Sequence, residues 1–369
     1  MEETARLRGV DCLKGIAIVG VVFTHLVILS GVNREGGDQM PLFLQILYLG
    51  LMSFFIITGY FFKPGRGFVR NIKSRAALLV ALLICAIALP VILFIWATLF
   101  GQSPGLEGLL EGLMQSFSFQ GSFEDISYVL NSPLACGAIG YYYLWAMLIG
   151  YVVFFALADK IYGDWRKEVA TIGALLVIQC LYIEFIHLRL PFSAQLVPIS
   201  TAFMFLGMML SERRVLQRIE ELRYSKVKNW IPFLICLVAG VVLAFLFNPD
   251  VSFDKCLFGA YGGYSVFPYF VEASLFFIVF LYIMTLISRI PILSVPFLEM
   301  GRHTLGTILL HAFVAKMLVM PFYTFDGGLL PTMPLWAKIT VALITLVLCY
   351  TICTYGPCIL SRMRNTNEA

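Results

Sequence analysis

Charged side chains are scarce in this sequence. Only 13% of its 369 residues are Asp, Glu, Lys or Arg, whereas 60% are hydrophobic, and the mean hydropathy is +0.88. An average soluble domain has about 25% charged residues. The composition therefore excludes an ordinary soluble globular protein and indicates an integral membrane protein.

Long apolar runs, separated by short polar connections, recur along the chain. A hydrocarbon core about 30 Å thick requires about 20 apolar residues per helix. The runs are continuous and lack the alternation of a transmembrane barrel. We therefore predict an all-α, polytopic integral membrane protein with about ten transmembrane helices. Their predicted ranges are 13–30, 42–62, 76–100, 141–158, 169–186, 194–210, 230–247, 266–287, 304–320 and 335–355.

Several other signals are missing. The first run lacks a small-residue cleavage site, so we interpret it as a transmembrane span and not as a signal peptide. Low-complexity segments, internal repeats and an appended soluble domain are not evident, which predicts one transmembrane domain over residues 1–369. Cys349, Cys353 and Cys358 have no His or Asp beside them, so we expect no metal site.

Positive charge is distributed unevenly among the connections. With the N-terminus in the cytoplasm, 21 of the 26 lysines and arginines lie in cytoplasmic segments, as the positive-inside rule requires. The connection over residues 105–125 has no Lys or Arg and four acidic residues. We therefore predict that both termini are cytoplasmic. The net charge of +4 is then a topology signal and does not indicate nucleic-acid binding.

The first predicted span, which contains KGIAIVGVVFTHLV, carries Lys14 and His25 eleven residues apart. Eleven helical steps of about 100° end about 20° past three full turns, so both side chains share a face and lie about 16 Å apart along the axis. Lys14 is then at the cytoplasmic rim and His25 near the middle of the membrane. A titratable ring at that depth is a candidate functional residue. The alternative is a structural hydrogen bond to a neighbouring helix.

Four segments carry a resemblance to a known family. They are RLRGVDCLKGIAIVGVVFTHL, LMSFFIITGYFF, IKSR and FLEMGRHTLGTILLH. In this order they resemble the bacterial membrane acyltransferase-three family, which includes polysaccharide and fucose O-acetyltransferases. The family motif residues correspond to Lys14 and His25, to residues 54–60 and to Arg75. Lys14 stands where the family usually has arginine, and Thr58 where it usually has serine.

The resemblance implies a bacterial inner-membrane enzyme that moves an acetyl group from cytoplasmic acetyl-CoA to a hydroxyl of a cell-surface or lipid-linked carbohydrate. His25 would be either the general base or the carrier of the acyl group. The implied partners are the lipid bilayer and a carbohydrate or polyprenyl-linked glycan acceptor; a homodimer or an envelope partner protein is left open. The alternative is a glycan transporter without acyl-transfer chemistry, which predicts internal repeats that we do not find.

The remaining candidate residues fall into two groups. Basic residues at the cytoplasmic rim would hold the phosphates of CoA; these are Lys14, Arg75, Lys73, Arg8, Arg66 and Arg70. Residues near the outer ends of spans would bind the acceptor, with interfacial anchoring as the alternative; these are Glu272, Glu184, His187, Arg189, Tyr142 and Trp145. We interpret His311 as a helix-packing hydrogen bond and not as a catalyst. Asp11 is interpreted as a cap of the first helix, with an ion pair to Lys14 as the alternative.

Overall fold

The computed structural model describes residues 7–25, 50–101, 105–117, 137–186, 190–247, 265–319 and 334–367. Over these ranges all regular structure is helical, without a strand. The all-α fold class predicted from composition is therefore confirmed.

The helices of the first half are α1 (Arg8–Phe23), α2 (Ser53–Tyr60), α3 (Phe68–Lys73), α4 (Ala76–Leu99), α5 (Gly105–Ser116), α6 (Gly137–Ile161) and α7 (Trp165–Phe185). Those of the second half are α8 (Val197–Glu212), α9 (Val215–Glu220), α10 (Ile231–Phe247), α11 (Val266–Ile287), α12 (Pro291–Arg302), α13 (Thr304–Val319) and α14 (Leu335–Asn367). The connection over residues 105–125 thus begins with a helix, α5, and residues 118–125 lie outside the described part of the chain.

Seven of the described helical segments are long and apolar enough to cross a membrane. They are Ala76–Leu99, Tyr141–Ile161, Trp165–Phe185, Pro191–Glu212, Val227–Leu246, Val266–Ile287 and Trp336–Gly356. Shorter apolar helices stand at the second and ninth predicted spans, and the 16-residue helix α1 stands at the first. Each of these three spans extends beyond the described residues. The chain is therefore a multi-pass membrane protein, and the count of ten spans and the orientation stay predictions.

The spanning segments differ in how much of each is covered by protein. In Pro191–Glu212 72% of the apolar stretch is buried, whereas in Val227–Leu246 only 11% is. A helix that is apolar on all sides and mostly uncovered has lipid as its natural neighbour. Thus α8 belongs to the interior of the bundle, and α10 to its lipid-facing periphery.

Two helix pairs approach so closely that glycine is required at the crossing. A Cβ at Gly59 of α2 would overlap the carbonyl oxygen of Met204 in α8, and one at Gly207 of α8 would overlap that of Ile56. The pair α1 and α12 crosses in the same way at Gly15 and Gly301. Small residues allow such close backbone contact between membrane helices. The two crossings hold α1 and α2, which carry the candidate site residues, on rigid supports.

The first helix is also anchored at its N-terminus. The backbone N–H of Gly9 donates to a carboxylate oxygen of Glu220 at 3.1 Å. An acceptor suits this position because the first N–H groups of a helix have no partner within it. Burial raises the pKa of Glu220, and Arg289 donates to its backbone carbonyl at 2.7 Å. The segment around α9 therefore ties α1 to the end of α11.

Candidate active site

A cavity of about 340 Å³ runs between α1, α2, α4, α6 and α13. Its wall is mostly apolar, with charged side chains at one end and aromatic hydroxyls along its side. The lining residues are Lys14, Phe54, Ile57, Thr58, Phe61, Ser74, Arg75, Leu78, Tyr143, Leu144, Met147, Tyr151, Thr304, Leu305 and Ile308. A mostly apolar cavity with a few placed polar groups is typical of a small-molecule site.

Lys14 and Arg75 both lie at the charged end of this cavity, which we call the basic end. The Lys14 ammonium forms an ion pair with Asp11 at 3.3 Å. The expectation that Asp11 caps α1 is wrong, because the helix begins earlier, at Arg8, and its N-cap is Leu7. The Arg75 guanidinium lies 4.9 Å from the ring centroid of Tyr151. Lys14 is therefore already neutralised locally, whereas Arg75 rests on an uncharged ring.

The other basic candidates lie outside this cavity. Arg66, Arg70 and Lys73 line a neighbouring shallow cleft of about 540 Å³ together with Phe68 and Val69. Arg70 and Lys73 are exposed, as is Arg8 at the start of α1. The structure thus brings Lys14 and Arg75 together and places Arg70 and Lys73 beside them, while Arg8 lines neither the cavity nor the cleft.

The side of the cavity is aromatic. Tyr143 packs against Phe55 with ring centroids 4.5 Å apart and against Phe54 at 6.1 Å. The hydroxyls of Thr58 and Tyr151 are 3.5 Å apart. Thr58, in the position of the usual family serine, therefore faces the cavity and retains a hydroxyl there.

Two histidines meet in the interior, close to the cavity. Nδ1 of His25 is 2.9 Å from Nε2 of His311, and the two rings are nearly coplanar, with 19° between their planes and their centroids 5.2 Å apart. Both side chains are buried, with 4% of His25 and none of His311 exposed. His311 lies one helical turn beyond Ile308, a residue of the cavity wall. The histidine pair therefore lies next to the end of the cavity remote from Lys14.

The hydrogen bonds of this pair determine its tautomers. Nδ1 of His311 lies 2.9 Å from the carbonyl oxygen of Ile308 and 3.1 Å from that of Thr307, so it must carry a proton and donate. In a neutral ring Nε2 of His311 is then an acceptor, and it accepts from Nδ1–H of His25. The lone pair of His25 is therefore at Nε2, the nitrogen a base or nucleophile would use.

The local backbone contributes to this arrangement. Helix α1 ends at Phe23, and Thr24 and His25 continue in a wider π-type turn. Single π-turns are frequent at functional sites because they rotate the following side chains out of the regular helical register. His25 is thus placed by the end of α1, and His311 by the middle of α13.

The structure does not gather the acceptor candidates around this cavity. Glu272 is buried in α11, Glu184 is exposed at the end of α7, and Tyr142 is half-buried on α6. Trp145 is buried and donates through Nε1 to the carbonyl oxygen of Ser116 at 2.8 Å. His187 and Arg189 lie outside the described residues.

The helix-packing hydrogen bond predicted for His311 is confirmed, and its partner is His25 at the end of α1. One residue of this site, Tyr143, was not predicted from the sequence. Tyr143 was hidden in the run YYYLW, where only its neighbours were chosen, and it is the tyrosine of that run that lines the cavity. Within the described part of the chain, no three His, Cys, Asp or Glu side chains cluster closely enough to hold a metal ion.

Comparison of the sequence with models of known protein families identifies the family of this chain. The chain matches the acyltransferase-three family model, described as an acyltransferase domain, over residues 7–354. The match covers most of the 369 residues, so the protein belongs to the acyltransferase-three family and is a membrane acyltransferase. No curated protein and no solved structure matches the chain.

Proposed function

We propose that this protein transfers an acetyl group from cytoplasmic acetyl-CoA to a hydroxyl of a cell-surface or lipid-linked carbohydrate, in the inner membrane of a bacterium. The observation that carries the proposal is the hydrogen-bonded chain from Ile308 through His311 to His25. In the neutral form of His25 this chain leaves the lone pair at Nε2, beside a cavity whose other end is basic.

The donor suits the cavity by charge and by polarity. CoA has a polyanionic nucleotide end and a long, thin pantetheine arm. Lys14 and Arg75 supply cations where the phosphates would remain, and guanidinium suits phosphate because it binds in a bidentate manner. The apolar wall between them and Ile308 suits the arm. The thioester would then arrive close to the histidine pair.

We assign His25 the role of general base. Its Nε2 would take the proton of the acceptor hydroxyl as the oxygen attacks the thioester carbon, and return it to the departing sulfur. His311 does not touch substrate in this scheme. It accepts the Nδ1–H of His25, which fixes the tautomer and the orientation of the ring.

The test is acetyl transfer by His25→Ala and His25→Gln. Membrane vesicles from the native host, containing each protein, are supplied with acetyl-CoA labelled in the acetyl group, and label in the carbohydrate fraction is measured. Both variants should lose transfer, because glutamine can hydrogen-bond but cannot accept a proton at neutral pH. His303→Gln is the matched control, because His303 contacts Thr354 and Tyr350 and does not line the cavity. This control should retain activity.

Near-normal transfer by His25→Gln would remove His25 from the chemistry. Acetyl label attached to the denatured wild-type protein, and absent from His25→Ala, would instead show that His25 carries the acyl group. Transport of unmodified glycan at the wild-type rate by His25→Ala would indicate the transporter function.

A further inference from the structure

Some polar atoms of the cavity wall have a hydrogen-bond partner within the part of the protein that the structure describes, and others have none there. Two of them are buried without a hydrogen-bond partner among the described residues: Nε of Arg75 and the hydroxyl of Tyr143. Buried polar groups in folded proteins nearly always have partners, so an exception needs an explanation. Arg75 lies at the basic end and is accounted for by the phosphates of the donor. Tyr143 needs a different partner.

Tyr143 is held in a defined position. Only 3% of the residue is exposed, and its ring is packed by Phe55 and Phe54 at centroid distances of 4.5 and 6.1 Å. Two residues earlier in α6, the hydroxyl of Tyr141 donates to the carbonyl oxygen of Leu309 at 3.1 Å. Helix α6 therefore contacts α13 at the stretch that carries Ile308 and His311. Tyr143 thus lines the cavity from a helix that also packs against the stretch of α13 just before His311.

We propose that the Tyr143 hydroxyl donates a hydrogen bond to the carbonyl oxygen of the acyl thioester in this cavity. The proposal rests on the proposed function and adds a second catalytic residue to it. Its ring is packed among apolar side chains that offer the hydroxyl no partner, and a thioester carbonyl is an acceptor of suitable size. A preorganised donor at this oxygen has its largest effect where negative charge develops.

The transfer step has a clear place for such a donor. The oxygen of the acceptor hydroxyl bonds to the carbonyl carbon, its proton passes to Nε2 of His25, and the carbonyl oxygen gains negative charge. The carbon–sulfur bond then breaks, the carbonyl reforms, and the CoA sulfur leaves with the proton from His25. Tyr143 keeps its own proton throughout and stabilises the charge on the carbonyl oxygen between these two events.

The first test compares Tyr143→Phe with Tyr282→Phe. The two changes are chemically identical and both tyrosines are buried, but Tyr282 lies on α11 and does not line the cavity. In vesicles from the native host supplied with acetyl-CoA, Tyr143→Phe should lower kcat for CoA release by about 100-fold, the usual effect of losing one such donor. Its Kd for free CoA, which has no acyl carbonyl, should stay within about twofold of wild type, and Tyr282→Phe should behave as wild type.

Normal turnover by Tyr143→Phe would overturn this proposal while leaving the proposed function intact. If the wild-type protein does not consume acetyl-CoA, both the proposed function and the proposed role of Tyr143 are wrong. Should Tyr143→Phe fold poorly, fluorinated tyrosines at position 143 retain the ring and hydroxyl and make the donor more acidic. At a pH where the phenol stays protonated, a graded change in kcat with phenol acidity supports the role. A kcat unaffected by fluorination overturns it.

Discussion

The two ends of the cavity are built on opposite principles. At the basic end the side chains of Lys14 and Arg75 are partly exposed and charged. Next to the other end His25 and His311 are buried and hydrogen-bonded to each other, and His311 also donates to the backbone. The first arrangement suits recognition of a large, mobile anion. The second suits a reaction that needs a fixed tautomer and little water.

The difference also indicates how each end should respond to substitution. Interactions between exposed charges are weakened by solvent and salt, so each basic residue contributes moderately. A buried hydrogen-bonded pair is less tolerant, because removing one member leaves the other unsatisfied. Changes at the histidine end should therefore act mainly on kcat, and changes at the basic end mainly on KM.

The largest effect after loss of His25 itself is expected at His311. His311→Phe keeps the volume but cannot accept the Nδ1–H of His25, so kcat should fall about 100-fold, as for other groups that orient a catalytic histidine. His311→Gln should recover a substantial part, because its amide can donate to the Ile308 carbonyl and accept from His25. Steady-state kinetics with acetyl-CoA check both variants.

The contrast with His25 makes this prediction specific. Glutamine should restore activity at position 311 and fail at position 25, although both residues are buried histidines in one hydrogen bond. Equal behaviour of glutamine at the two positions would contradict the assignment of one base and one positioning residue. Thermal unfolding in detergent, measured on each protein, separates loss of turnover from loss of stability.

Features that are local in the chain could be predicted from the sequence, whereas contacts between distant residues could not. The helical membrane class follows from apolar runs, and the family from motifs that are local in the chain; both are confirmed. Lys14 and His25 were found because they share one helix. The partner of His25 lies 286 residues away in the chain, and no periodicity within a helix connects positions so distant.

Tyr143 shows a second reason for failure. Three consecutive tyrosines at residues 141–143 point in directions about 100° apart on a helix. Tyr141 contacts α13, Tyr142 is half-buried and Tyr143 lines the cavity. The chemistry of the three side chains is identical, so only the packing of α6 against its neighbours distinguishes them. A sequence pattern therefore located the aromatic cluster but could not select the residue.

A smaller effect is expected at the basic end, and Arg75 should exceed Lys14. Arg75→Ala should raise the KM for acetyl-CoA by roughly 10- to 100-fold, the range for a lost hydrogen bond to a charged group. Lys14→Ala should raise it only about threefold, because Asp11 already offsets the Lys14 charge at 3.3 Å. The measurement is KM at saturating acceptor, with the exposed Arg166→Ala as the control for loss of a cation outside the cavity.

A donor that lacks the 3′-phosphate shows which phosphate of CoA Arg75 binds. If Arg75 binds the 3′-phosphate, Arg75→Ala should raise KM less with acetyl-dephospho-CoA than with acetyl-CoA. An equal increase in KM with both donors assigns Arg75 to the diphosphate. Equal KM values for Arg75→Ala and wild type would mean that Arg75 does not bind the donor and contributes only to the positive-inside charge bias.

The smallest effect is expected in the shallow cleft beside the cavity, at Arg70 and Lys73. Both side chains are exposed, so each alanine substitution should raise KM by no more than about two- to threefold at low salt. That difference should disappear as ionic strength rises and the Debye length falls to about 8 Å or less. KM for acetyl-CoA measured across a salt series tests this. A tenfold loss that persists at high salt would mean a direct, desolvated phosphate contact, and the cleft would then belong to the donor site together with Arg75.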